Sequence, residues 1–230
     1  VDEVITIALA VPHAAWIPER VASMTRLRWQ LGIGENVDEL PEGLAHYRAF
    51  TEREANHEWS ERLWTWLATG DQTHCLQLQD DCLVPPNFWA ALSALLAAFP
   101  RQVICFQSVH VAARALAEEG ERGYTTSEHL IGVAYCLPRE LLVEFLGWRR
   151  TKLKPGAIEA ISEDTLMAAW CLATGHRVFH PIPTIVKHDV SKASTYGNDD
   201  HEARVSPVPW DVEGAPWTLT DLEREEFWRQ

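Results

Sequence analysis

The 230-residue chain has no Cys-x-x-Cys pair, no basic excess and no apolar run long enough to span a bilayer. Its five cysteines (Cys75, Cys82, Cys105, Cys136 and Cys171) are odd in number and scattered through apolar stretches. That pattern argues against a zinc site or a disulfide framework and for reduced, buried thiols. Twenty basic residues against 33 acidic ones give a net charge of −13, which disfavours a general binder of nucleic acid or anionic membrane. The longest apolar stretch, Trp89 to Phe99, is too short to cross a membrane. Asp2 and Glu3 stand where a signal peptide would carry basic residues. No membrane insertion and a cytoplasmic location are therefore expected. Glycine is also missing from the loop Val11 to Pro18, so a triphosphate cradle after the first strand is absent.

What is present is a core-forming sequence, 47% hydrophobic, in which strand-like and helix-like stretches alternate. Val4 to Ala10 reads as a buried strand, and Pro18 opens a helix that ends at Gly32 and Gly34. Ala45–Phe50, Thr73–Gln79, Val103–Phe106 and Leu130–Leu137 read as further strands. Helices are expected from Asn56 to Gly70, from Asn87 to Phe99, from Pro138 to about Trp148 and from Ser162 to near Gly175. Short strands follow at Arg177–His180 and Thr184–Lys187. The segment around Glu118 to Gly123 reads as an exposed connection, and the eleven tryptophans read mainly as core. The alternation predicts an α/β fold with a mainly parallel central sheet and helices on both faces. No linker divides the chain, so one domain over residues 1–230 is expected.

Three short constellations carry chemistry. The first is Cys75-Leu-Gln-Leu-Gln-Asp-Asp-Cys-Leu-Val-Pro-Pro-Asn-Phe-Trp89. It sets Asp80 and Asp81 at the end of a buried strand, the edge at which open α/β sheets bind ligands. Adjacent carboxylates there suit Mg²⁺ or Mn²⁺ held on a diphosphate. A turn that merely caps the next helix accounts for the pair equally well. The second is Ser162-Glu163-Asp164 at a helix start. It is an ordinary capping pattern, and it is also a way to fix a carboxylate as a general base. The third is Pro183 to Ser194, in which His188 follows a short apolar run and Ser191, Lys192 and Ser194 are able to meet phosphate oxygens. Alone, His188 reads first as a loop residue.

The order of these sites resembles that of nucleotide-sugar glycosyltransferases of the GT-A fold, over roughly Val4 to Ser194. Gln79-Asp80-Asp81 resembles their Asp-x-Asp or Glu-Asp-Asp motif, and small bacteriophage and bacterial glycosyltransferases look similar around Leu78 to Asp81. The resemblance implies a GT-A-like (Rossmann-like) sheet and a nucleotide-diphosphate sugar donor. It divides the chain at about residues 1–107 (donor-nucleotide half), 108–194 (acceptor and catalytic half) and 195–230 (irregular C-terminal tail). By the same resemblance Asp80 contacts ribose or sugar, Asp81 and His188 hold Mn²⁺ or Mg²⁺, and Asp164 is the catalytic base of an inverting transfer with Glu163 beside it. Pro12, His13, Arg62, Gly132, Lys192 and Ser194 complete the expected donor-binding set. If the gene is a phage gene, the location is the host cytoplasm. Gln79 departs from the family's usual acidic residue, and the loop through Pro12 and His13 has no acidic partner for a uracil. A nucleotidyltransferase of related fold and a non-catalytic module that binds a glycan or protein are the alternatives. The acceptor is left open among a glycan, a small molecule, a protein and a modified DNA base.

Overall fold

A computed structural model describes residues 4–34, 39–51, 56–107, 115–116, 119, 123–130, 132–152, 161–182 and 184–189. Its elements run β1 (Ile7–Pro12), α1 (Pro18–Gln30), β2 (Leu44–Phe50), α2 (Asn56–Thr69), β3 (His74–Leu78), β4 (Cys82–Leu83), α3 (Phe88–Ala98) and β5 (Val103–Cys105). They continue with β6 (Gly123–Ser127), β7 (Ala134–Pro138), α4 (Arg139–Lys152), α5 (Glu163–Thr174), β8 (Val178–Ile182) and β9 (Lys187–His188). Seven strands form one sheet in the order β2-β1-β3-β7-β5-β8-β6. β1, β2, β3, β5 and β8 point one way, while β7 and β6 run against them. The fold is the expected Rossmann-like α/β, a mostly parallel sheet flanked by helices.

Strand alternation divides the interior. Ile7, Leu9 and Val11 of β1 and Leu76 and Leu78 of β3 face one core with Met24 and Leu27 of α1 and Leu92, Leu95 and Leu96 of α3. Ala8, Ala10 and Cys75 face the other, with Leu63, Trp64 and Leu67 of α2, Phe145 of α4 and Met167 and Trp170 of α5. Successive residues of a strand point to opposite faces, so both faces of the sheet are buried and the strands read as continuous apolar runs. Among the buried large side chains are Trp64 and Trp170, while Trp29 at the end of α1 is 80% exposed. All five cysteines are buried thiols outside any disulfide. At the end of α1, Gly32 takes a positive φ of 69°, which a side chain would resist.

Several local expectations shift. Gly123 is buried as the first residue of β6, which among the described residues is an edge strand paired with β8 alone, rather than exposed in a connection. The strand expected from Leu130 starts at Ala134, and Gly132 and Val133 form a turn before it. Asn87 and Ser162 precede α3 and α5, but neither side chain caps its helix. Ser162 Oγ instead lies 2.7 Å from Thr165 Oγ1. Among the described residues no helix is long and apolar enough to cross a membrane. Lys192, Ser194 and the expected tail at 195–230 lie outside the described residues.

Candidate functional site at the end of the third strand

Parallel pairing brings the ends of β1 and β3 together, because Ile7 to Ala10 align with His74 to Gln77. The loop after β1 therefore meets the loop after β3. His13 Nδ1 lies 2.9 Å from Asp80 Oδ2, and the Ala14 N–H donates to the same oxygen at 2.9 Å. The Pro12 carbonyl accepts the Asp80 N–H at 3.3 Å. Pro12 and His13 thus hold Asp80 in place.

Asp81 is met from the far end of the described chain. β9 pairs antiparallel with β4, placing His188 opposite Cys82. His188 Nε2 then reaches within 2.7 Å of Asp81 Oδ2, and the Asp189 N–H donates to the Asp81 carbonyl at 2.9 Å. Asp80 is 2% exposed and Asp81 0%. Burial by itself raises the Asp81 carboxyl, yet the hydrogen bond and charge of His188 and the charge of Arg20 together leave it below its ordinary value.

Arg20 comes from the first turn of α1 and is 4% exposed. Its Nη1 lies 3.0 Å from Asp80 Oδ1 and also contacts Asp81 Oδ2. Nothing in the sequence singled Arg20 out from Arg26 and Arg28 on the same helix. Arg26 pairs with Asp189 at 3.0 Å.

A second cluster lies beside the first. The Val133 carbonyl accepts the Gln79 N–H at 2.8 Å and the Cys82 thiol at 3.3 Å, which fixes the Gly132–Val133 turn against the aspartate loop. Gly132 in turn meets the start of α5. A Cβ on Gly132 would sit 2.9 Å from Glu163 Oε1 and 3.4 Å from Asp164 Cβ, so glycine permits that approach. The Gly132 N–H makes a long contact of 3.5 Å to Asp164 Oδ2, and the Thr165 N–H donates to Asp164 Oδ1 at 2.8 Å.

Glu163 turns inward. Ser60 Oγ of α2 donates to Glu163 Oε2 at 2.7 Å, and Gln77 Nε2 of β3 donates to Oε1 at 3.3 Å and to the Gly132 carbonyl at 3.0 Å. Behind them Tyr135 donates its hydroxyl to Gln77 Oε1 at 2.6 Å, and Trp64 Nε1 donates to the Tyr135 oxygen at 2.8 Å. Burial pushes the Glu163 carboxyl up to about 7 against the pull of the Ser60 hydrogen bond, with the charge of Asp164 adding to the rise. Asp164 is the more open of the two carboxylates. Ser60, Gln77 and Tyr135 were not anticipated. The available signal was Gln77 itself, a polar residue inside a strand buried on both faces, which must find a buried partner.

Among the described donor candidates, Arg62 is the one not brought to these carboxylates. It lines a groove of about 300 Å³ with Arg48, Glu61, Phe50 and Trp66, two residues along α2 from Ser60 and therefore on a different side of the helix.

Among the described residues no three metal-ligating side chains converge on one point. Asp81 Oδ1, however, is buried with no hydrogen-bond partner, and His188 stands at the other carboxylate oxygen. Such a donor set suits a divalent ion that takes its remaining ligands from a phosphate and water.

The sequence matches no protein-family model and no curated protein. Among solved structures the chain is similar to A197 from STIV, with 13% identity, 80% of this chain and 84% of that one covered, and a TM-score of 0.48. It is also similar to CMP:2-keto-3-deoxy-manno-octonic acid synthetase complexed with CTP, with 11% identity, coverage of 76% and 88%, and a TM-score of 0.42. Neither likeness is close enough to carry chemistry from one chain to the other.

Proposed function

We propose that this chain is a metal-assisted glycosyltransferase that moves a sugar from a nucleotide-diphosphate donor to an acceptor hydroxyl with inversion. The observation that carries the reading is the joining of two carboxylate pairs. Asp80 and Asp81 sit at the C-terminal edge of β3, and Glu163 and Asp164 are packed against them through the Gly132–Val133 turn. One pair suits a cation on a diphosphate, and the other suits proton removal.

Asp81 and His188 would hold Mn²⁺ or Mg²⁺, which when bound supplies neutralising charge for a leaving diphosphate. Asp80, fixed by His13 and the Ala14 N–H, orients the donor. Asp164 takes the proton from the acceptor hydroxyl as it attacks. Glu163, anchored by Ser60 and Gln77, positions the start of α5 and the Asp164 beside it. Lys192 and Ser194 would meet donor phosphates.

The test is a screen of nucleotide sugars by thermal shift with and without Mn²⁺, followed by product analysis. Release of a nucleoside diphosphate and an inverted anomeric centre are expected. Release of pyrophosphate would favour a nucleotidyltransferase. Tight donor binding without release in the presence of diverse acceptors would favour a binding module.

A further inference from the structure

We infer that Arg20 is the resident counter-cation of the aspartate pair: it keeps free divalent metal off Asp81 until a diphosphate arrives to accept its guanidinium. The inference rests on the reading of this site as a donor site.

Arg20 is the third residue of α1, following Pro18 and Glu19. A cation in the first turn of a helix faces the positive end of the helix dipole, so local structure does not favour it there. What holds it is the pair of carboxylates 60 residues away, both of which its Nη1 contacts. Yet the pairing is incomplete. Nε of Arg20 is buried with no hydrogen-bond partner, and Asp81 Oδ1 is buried without one as well. A buried ion pair offsets its desolvation only when its remaining donors and acceptors are satisfied. These are not, so the arrangement leaves one donor, Arg20 Nε, and one acceptor, Asp81 Oδ1, unused in the same cluster.

The unused groups are of opposite kinds. A guanidinium suits phosphate oxygens, to which it donates in a planar fork. The lone carboxylate oxygen suits a hard cation. A metal on Asp81 would stand next to Arg20, since Asp81 Oδ2 already contacts both Arg20 and His188. Two adjacent cations repel strongly where water is scarce. A metal alone therefore competes with Arg20. A metal with a diphosphate does not, because the phosphates supply the negative charge that both cations need. Metal and diphosphate should then strengthen each other's binding, reciprocally and by the same factor.

The experiment uses the full chain stripped with a chelator, with Mn²⁺ and nucleoside diphosphates as probes in calorimetry and Mn²⁺ spin resonance. In the wild type, Mn²⁺ alone should bind weakly, and a nucleoside diphosphate should tighten it by roughly 5–150-fold. In Arg20→Gln, Mn²⁺ alone should bind more tightly than in the wild type, the diphosphate alone more weakly, and the mutual enhancement should shrink. Loss of the guanidinium removes the cation shared by two buried carboxylates and leaves them only their histidine and backbone partners, so this variant should melt lower without metal and recover more than the wild type when Mn²⁺ is added. Wild-type Mn²⁺ binding that a diphosphate leaves unchanged overturns the inference, a result that needs no variant to fold. So does an Arg20→Gln that binds Mn²⁺ no better than the wild type. If no nucleoside diphosphate binds the wild type with or without Mn²⁺, the donor-site reading itself fails.

Discussion

Gly132 and Glu163 approach so closely that one methyl group would not fit between them. A Cβ on Gly132 would sit 2.9 Å from Glu163 Oε1, and that oxygen is not free to swing away, because Ser60 and Gln77 hold the carboxyl. Gly132→Ala should therefore destabilise the fold by about 1–3 kcal/mol, the usual range for overpacking. It should also slow transfer more than it weakens donor binding. Urea melts and donor titration of the same variant test both parts.

Asp81→Asn keeps the shape of the side chain and removes the charge that faces Arg20 and His188. Donor binding should lose its dependence on Mn²⁺. Calorimetric titration of donor with and without Mn²⁺ checks this, and an undiminished metal effect would remove Asp81 from the site.

Asp164→Asn should bind donor and scarcely transfer, with a fall in turnover of about 10²–10⁴-fold, the range for a lost general base. Glu163→Gln should be milder in turnover. If single-turnover rates show the reverse order, the two roles exchange.

Glu163 also makes stability depend on pH. Its carboxyl is raised from 4.5 to about 7 in the folded chain, so between those values the native state holds a proton that the unfolded state has released. Stability from this group is complete below pH 4.5 and is lost as pH climbs through about 7. Relative to the wild type, Glu163→Gln should gain roughly 2–4 kcal/mol between pH 4.5 and pH 8. Paired denaturation curves across that range measure it, and parallel curves would contradict it.

Gln77→Leu should cost about 2–4 kcal/mol. The amide serves Tyr135, Glu163 and the Gly132 carbonyl at once, and removing it leaves buried polar groups without partners. Gln77→Leu combined with Tyr135→Phe should cost less than the two changes summed, because both break the same Tyr135–Gln77 hydrogen bond, and a double-mutant cycle would show it.

The sheet and its helices were legible because apolar runs such as Ile7 to Val11 belong to strands buried on both faces. Asp80, Asp81, Glu163, Asp164 and His188 were legible as candidates because each stands at the end of a strand or the start of a helix. Arg20 was not. Its partners lie 60 and 61 residues on, and only the packing of α1 against β4 and the aspartate loop selects it over Arg26 and Arg28. Ser60 is hidden for the same reason, since a helix serine carries no mark of the glutamate 103 residues away that it bonds. β6 escaped notice because Gly-Tyr-Thr-Thr-Ser is polar and short, and an edge strand needs only one partner.

β3 carries two instructions in five residues. Leu76 and Leu78 belong to the core under α1 and α3, while Cys75 and Gln77 belong to the other side, where Gln77 holds Glu163. Substitution at any one position edits one instruction. Insertion or deletion of a single residue exchanges them, sending an amide into the apolar core and a leucine to the glutamate. Length variants of the turn before β3, around Gly70 and the exposed Asp71, should therefore be viable in a library of this protein, and those within β3 should be missing from it.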